Sequence, residues 1–226
     1  ASYAWSNGGG SSQTATFTNI TTGTTYSVTV TDGNSCQGSD SHAVTVNALP
    51  TPAISGLTSV CSGGSVTLDA GTGYASYAWS NGGGSSQTAT FTNITTGTTY
   101  SVTVTDGNGC QGSDSHAVAV NALLTPSISG LTSVCSGGSV TLDAGTGYAS
   151  YAWSNGGGSS QTATFTNITT GTTYSVTVTD GNSCQGSDSH AVTVNSLPTP
   201  SISGLTSVCS GGSVTLDAGT GYASYI

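Results

Sequence analysis

Residues 31–42 read TDGNSCQGSDSH and bring two aspartates, a cysteine, three serines and a histidine together, in a chain otherwise rich in Ser, Thr, Gly, Val and Ala. Metal binding is the first chemistry to weigh. Asp32-Gly33-Asn34 begins like a calcium loop, but the EF-hand pattern wants Gly at its sixth place and Glu at its twelfth, where this chain has Gln37 and Ala43. Asp40 and His42 share a strand face, yet Cys36 is the only third ligand nearby and the spacing matches no zinc pattern. Calcium at an aspartate-lined junction stays open; no other cofactor is expected. Nucleophilic catalysis is the second. Asp40, Ser41 and His42 are triad types, but consecutive strand residues point to alternate faces whereas a triad converges. The chain also lacks a G-x-S-x-G elbow and any cation to stabilise an oxyanion. No catalytic residue and no enzyme are expected.

The whole composition narrows the classes further. The 226 residues include no Lys or Arg and nine Asp, giving a formal charge of −9 with only 4% of residues charged. Displacing counterions from phosphates requires Lys and Arg, so nucleic acid is excluded as a partner, and so is electrostatic attachment to an anionic bilayer. No apolar run approaches the ~20 residues of a membrane span, so membrane insertion is not expected either.

The elements that must position these residues repeat. ASYAWSNGGG begins at Ala1, Ala75 and Ala149, and ASY returns at Ala223, a period of 74. The copies are nearly identical, and the phrase breaks at Ile226. All five prolines fall in one seam: Pro50 and Pro52, then Pro126, then Pro198 and Pro200. Proline lacks a ladder donor and favours extended connections, so the seams are expected to be linkers. They predict domains over 51–122 and 125–196, the later strands of a domain over 1–48, and the first strands of another over 199–226. Between seams the pattern has period two: Val66 and Leu68, Tyr77 and Trp79, Ala89 and Phe91, Tyr100, Val102 and Val104, then Val118 and Val120. Such alternation marks half-buried strands, and NGGG, TTG and DGN between them are turn chemistry. About seven short strands per repeat predict an all-β sandwich for each repeat. The expected core adds Ile54, Leu57 and Ile94 to the alternating residues, with Trp79 as its central filler.

The phrases VCSGGSVTLDA, YAWSNGG and TTYSVTVTDGNGC resemble the tandem immunoglobulin-like or PKD-like repeats of large secreted bacterial surface proteins, including gliding-associated adhesins. The resemblance covers the whole chain. It implies an all-β fold of tandem immunoglobulin-like β-sandwiches in a linear rod or fibre, a stalk at the cell surface with adhesion or fibre formation as its business and no catalytic residue. The six cysteines alternate in spacing between 25 and 49 residues and suit disulfides in an exported protein. The resemblance suggests bonds inside each domain, Cys61 with Cys110 and Cys135 with Cys184, leaving Cys36 and Cys209 to partners outside the visible chain. The rival scheme, 36–61, 110–135 and 184–209, satisfies all six but crosses every linker. In a standard immunoglobulin order the two within-domain positions lie at opposite ends of the sandwich, so both schemes stay open here.

Decoration and self-association complete the expectations. Asn19, Asn93 and Asn167 head N-x-T sequons and are candidate glycosylation sites, and the dense Ser and Thr offer O-glycan positions. Sheet edges are usually blocked by Lys or Pro; here Lys is absent and Pro is confined to seams, so edges call for glycans or a neighbouring chain. The partners expected are neighbouring copies of the protein or the continuation of the same repeat chain, and possible glycans. Residues 1–48 and 199–226 together amount to one domain, which suggests either a window from a longer periodic polymer or a tail that completes the next chain's head. The function expected is an extracellular structural fibre, filament or stalk. The alternative is an adhesin segment that binds glycans or surfaces through the SNGGGSSQ and TDGNSCQGSDSH loops.

Overall fold

The computed structural model of the chain describes residues 1–224, so the sequence break at Ile226 lies outside the described residues. The fold is all-β: seventeen strands and no helix among these residues. The chain divides into two compact units, one made of Ala1–Val60 with Gly64–Ala119 and the other of Cys61–Gly63 with Val120–Ile226.

The first unit opens with β1 (Ser2–Trp5), β2 (Thr24–Thr31) and β3 (Gln37–Val44), which form a three-stranded antiparallel sheet in that order. A complete repeat follows: β4 (Ser59–Cys61), β5 (Gly64–Asp69), β6 (Ser76–Trp79), β7 (Thr88–Ile94), β8 (Thr98–Thr105) and β9 (Gln111–Asn121). One sheet has the order β4-β9-β8-β6 and the other pairs β5 with β7. This is the order of an immunoglobulin-like sandwich, with six named strands where the period suggested about seven. Phe91 of the smaller sheet lies 3.9 Å from Tyr100 and 6.3 Å from Trp79 of the larger one, ring centre to ring centre, so aromatic packing closes the two sheets face to face.

The second unit repeats the design with β10 (Ser133–Cys135), β11 (Gly138–Asp143), β12 (Ser150–Trp153), β13 (Thr162–Ile168), β14 (Thr172–Thr179) and β15 (Gln185–Asn195), in orders β10-β15-β14-β12 and β11-β13. The short β16 (Ser203–Gly204) and β17 (Leu216–Asp217) pair with each other. The chain forms tandem β-sandwiches, as the period-two pattern requires.

Val66, Leu68, Trp79, Phe91, Ile94, Tyr100, Val102, Val104 and Val118 are buried as the alternation predicts. Ile54, Tyr77 and Val120 are half-buried. Leu57 corrects the expected core, being exposed, as is its counterpart Leu131. The cause lies one residue earlier. Gly56, at φ 149°, packs against Leu68 and the Thr67 carbonyl with no room for a Cβ, so the backbone itself takes the place against Leu68 and Leu57 is left exposed. Val60, Ala70 and Pro52 are buried as well.

Candidate functional site

In each repeat the TDGN(S/G)CQGSDSH stretch links the last two strands, and its first aspartate binds backbone. Asp106 Oδ1 accepts hydrogen bonds from the N–H groups of Asn108 and Cys110, at 2.9 and 2.8 Å, and Asp32 and Asp180 make the same pair of bonds in their repeats. The aspartate is therefore the anchor of an Asx turn, and the next residue but two takes positive φ: Ser35 at 66°, Gly109 at 82°, Ser183 at 64°. Gly109 replaces serine at no conformational cost.

The second half of the stretch grips a segment about sixty residues earlier. Asp114 Oδ2 accepts the Ile54 N–H at 2.7 Å, and the His116 ring nitrogen Nε2 lies 3.2 Å from the Leu57 carbonyl. Asp188 and His190 hold Ile128 and Leu131 in the same way. Asp and His two apart share a face, as the sequence indicates, but that face carries the segment leading into β4, which runs parallel to β9. Ala119 N–H donates to the Thr58 carbonyl further along. Ser115 and Ser189 alternate to the other side, so Asp, Ser and His do not converge. Among the described residues no group of three metal-ligating side chains is brought together.

The cysteines correct both pairing schemes. Cys61 is bonded to Cys184, with Cα atoms 5.6 Å apart, while Cys36, Cys110, Cys135 and Cys209 are free thiols. The within-domain bonds fail because of strand polarity. Cys61 ends β4 beside Asn121, whose carbonyl accepts the Ser62 N–H, whereas Cys110 precedes Gln111 at the opposite end of β9. An eleven-residue strand spans roughly 35 Å at about 3.3 Å per residue, and a disulfide needs Cα atoms within about 7 Å. Cys135, paired with Asn195, is separated from Cys184 in the same way along β15. The scheme joining Cys61 to Cys36 and Cys184 to Cys209 is also not formed, since Cys61 and Cys184 take each other. Cys184 is fully buried.

Sequence reasoning missed one carboxylate. Asp69 Oδ1 accepts the Gly71 N–H at 2.8 Å and, with Oδ2, the Gln87 side-chain amide at 2.9 and 3.1 Å; Asp143 is held by Gln161 and Gly145. The Gln87 amide first, and then the Gly71 N–H, hold the Asp69 carboxyl below the ordinary range, and Gln161 and Gly145 do so for Asp143. The D-A-G spacing could have signalled the turn; the glutamine eighteen residues on carried no local sign.

The sequon asparagines lie exposed with positive φ, Asn19 at 56°, Asn93 at 54° and Asn167 at 56°. At Asn93 the β5–β7 register slips between Gly64 and Val66, so the asparagine serves a bulge, where its tolerance of left-handed backbone explains the residue type. An open cleft of about 490 Å³ beside it is lined by Asn81, Asn93, Thr95 and Tyr100 among others, and the equivalent clefts occur at Asn155 and Asn7. The SNGGG loop at the rim folds over Trp79. The indole N–H donates to the Ser86 carbonyl at 2.9 Å, and a Cβ on Gly83 would lie 2.7 Å from both Phe91 and Trp79.

No family model matches the chain, and no curated relative matches it. Solved structures similar to it include the fibronectin(III)-like modules of Clostridium thermocellum CbhA, at 14% identity and TM-score 0.37, covering 64% of this chain and 95% of that one. A Ca2+-stabilized adhesin with which an Antarctic bacterium binds ice is 13% identical, with TM-score 0.41, over 80% of this chain and 59% of that one. An I-band fragment from titin is 10% identical, with TM-score 0.36, over 78% and 75%. The sandwich assignment rests on the strand order and core described above.

Proposed function

We propose that the chain is an extracellular structural repeat, a run of disulfide-stapled sandwiches dividing at the proline seams into 1–48, 51–122, 125–196 and 199–226, within a fibre, filament or bacterial surface stalk. The observation that carries this reading is the Cys61–Cys184 bond, which joins cysteines of successive repeats rather than closing one fold. Such a bond persists in an oxidising compartment, which supports a secreted or cell-surface location. In the two complete repeats Asp106, Asp114, Asp180 and Asp188 accept backbone N–H groups and His116 and His190 lie against backbone carbonyls, so they serve construction. With no lysine or arginine the chain offers trypsin no cleavage site. The test is imaging of the assembled material. A filament with one uniform axial spacing per 74-residue repeat, on the order of 30–40 Å for a strand of about 20 Å plus loops, is expected. Isolated flexible rods that end in a distinct tip domain would overturn the fibre reading.

The second reading, an adhesin segment that binds glycans, is favoured by the threonine- and asparagine-lined cleft that recurs in each repeat. Glycan-array binding that drops on Asn81→Ala and Asn155→Ala would establish it; no binding to any glycan would remove it. The same clefts border the sequons, and intact mass before and after deglycosylation decides whether Asn19, Asn93 and Asn167 carry sugar.

A further inference from the structure

Four of the six cysteines are free thiols, and the one bond that forms supplies a rule for the others. Cys61 ends β4 and Cys184 immediately precedes β15, and the two are 123 residues apart. That separation is the 49 residues between the two cysteine positions inside a repeat plus one period of 74. Cys135 and Cys209 occupy the place of Cys61 in the repeat, and Cys36 and Cys110 occupy the place of Cys184. No cysteine of this chain stands 123 residues after Cys135 or Cys209, or 123 before Cys36 or Cys110. Bonding within a repeat is closed to Cys110 by the length of β9, and to Cys135 by the length of β15.

The second unit shows how the bond is built. Cys61–Gly63 is part of that unit, with Ser62 tied to Asn121, and Cys184 is held at the start of β15 by its N–H bond to Asp180. Two residues on, Gly186 lies against the Leu124 carbonyl so closely that a Cβ would collide with it. The seam from Asn121 to Leu124 thus connects the Cys61 end of one repeat to the Cys184 end of the next. Pro50 lies against Gly112 in the same way, which presents Cys110 at the corresponding place beside its own seam. Its environment is that of Cys184 without the partner: the same Asx turn, the same donor to the aspartate, and a half-buried sulfur-bearing residue where Cys184 is wholly buried.

We infer that disulfides in this protein follow a single register, from the cysteine that opens one repeat to the cysteine before the last strand of the next, and that Cys110, Cys36, Cys135 and Cys209 are open halves of such bonds. Each takes a cysteine of a further copy of the 74-residue repeat. The copy comes from the continuing polypeptide or from a second chain; in a second chain joined in register, Cys135 takes its Cys36 and Cys209 takes its Cys110. Each bond removes two protons and two electrons from a pair of thiols, and a small-molecule disulfide accepts them and is reduced to two thiols. The inference deepens the structural reading of the repeat but does not need a filament, because a monomeric stalk of many repeats would carry the same bonds inside one polypeptide.

Asp-N digestion tests it, since cleavage before every aspartate leaves each cysteine in its own fragment. An equal mixture of unlabelled and nitrogen-15-labelled 226-residue chain is oxidised in a glutathione disulfide buffer, its remaining thiols are alkylated, and the digest is weighed without reduction. Fragment 40–68 is expected to be linked to DGNSCQGS, and to remain so in Cys36→Ser, which assigns the partner to Cys184. Reductant-sensitive oligomers are expected, with fragment 114–142 linked to DGNSCQGS and fragment 188–216 linked to DGNGCQGS, half of those pairs carrying mixed isotopes. Cys36→Ser with Cys110→Ser should abolish the oligomers; neither residue is bonded in the folded chain, so both variants keep their sandwiches. In assembled native material the same links are expected whether they join chains or lie within one, and the electrophoretic mass after reduction separates the two sources. DGNGCQGS linked to 40–68 or to 114–142 would overturn the register. So would complete alkylation of Cys110 and Cys135 in assembled native material. A filament lacking these links would sink this inference while leaving the fibre reading intact; the links without a filament would do the reverse.

Discussion

Residues 1–48 and the matching part of the complete repeat, 75–122, have nearly the same sequence and fold to different degrees. TATFTNI is strand β7 at 88–94 but has no assigned strand at 14–20. Trp79 and Val104 are buried at 8% and 0% exposure, whereas Trp5 is half-buried and Val30 is 37% exposed. Asp114 grips Ile54, while Asp40 reaches only the N–H of Ser41. Propensity is the same in both, so the difference measures what β4, β5 and their lead-in segment contribute. Strand content here is set by the partner across the sheet and by burial, not by intrinsic preference. The tail shows the converse: Leu68 and Leu142 are fully buried, and the equivalent Leu216 is 57% exposed.

The sharpest way to break that comparison is to remove the same side chain in both settings. Leu68→Ala and Leu142→Ala each delete a fully buried side chain, and about 2–5 kcal/mol of sandwich stability should be lost at each. Leu216→Ala should change the denaturation midpoint little, by about 0.5 kcal/mol or less. Chemical denaturation followed by tryptophan fluorescence measures the first two, because Trp79 and Trp153 report the complete sandwiches, and amide hydrogen exchange at Leu216 follows the tail, which has no tryptophan. If Leu216→Ala cost as much as Leu68→Ala, the tail would be packed in solution as a complete repeat is.

A smaller effect comes from glycines in the same place on equivalent strands. A Cβ on Gly112 would strike the Pro50 carbonyl, while one on Gly38 would meet nothing within 4 Å. Gly112→Val should therefore displace the lead-in segment and its bond to Asp114, at a cost of about 1–3 kcal/mol. Gly38→Val should be neutral or slightly favourable, since valine suits an exposed strand. Amide hydrogen exchange at Ile54 should rise in the first variant. Unchanged protection there would mean that the lead-in segment is held by something other than its fit against β9.

Much of this was legible in the sequence. Period-two alternation located β5, β6, β7, β8 and β9, and the aromatic residues marked where the two sheets meet. What alternation does not contain is strand polarity. The cysteine spacing is equally compatible with bonds inside or between repeats; only the parallel pairing of β4 with β9 puts Cys61 and Cys110 at opposite ends. Asp114 and His116 could be placed on one face from their spacing, but their partners lie about sixty residues earlier and are defined by that same pairing. Leu57 was misplaced because its outward turn follows from the close approach of Gly56 to Leu68, a tertiary contact. Asp and His are scarce in this chain and so stand out around Ser41 and Ser115, but scarcity does not reveal that Asp114 and His116 hold backbone.

The smallest effect expected is electrostatic and distinguishes the complete repeats from the tail by their glutamines. Asp69 has the Gln87 amide and the Gly71 N–H, Asp143 has Gln161 and Gly145, and Asp217 accepts from Gly219. Hydrogen bonds to the ionised form hold the Asp69 and Asp143 carboxyls below the unfolded value of about 3.9. Between the folded and unfolded values the unfolded chain binds more protons, so stability rises with pH there. The contribution is therefore complete above about pH 4 and is lost as pH falls through the lowered folded value. Carbon-13 titration of the side-chain carboxyls should find Asp69 and Asp143 titrating below 3.9, and Gln87→Ala should move Asp69 upward while leaving Asp143 in place. An Asp69 midpoint unaltered by Gln87→Ala would show that the turn N–H alone sets it, and that the amide bridge between β5 and the loop before β7 does not distinguish a complete repeat from the tail.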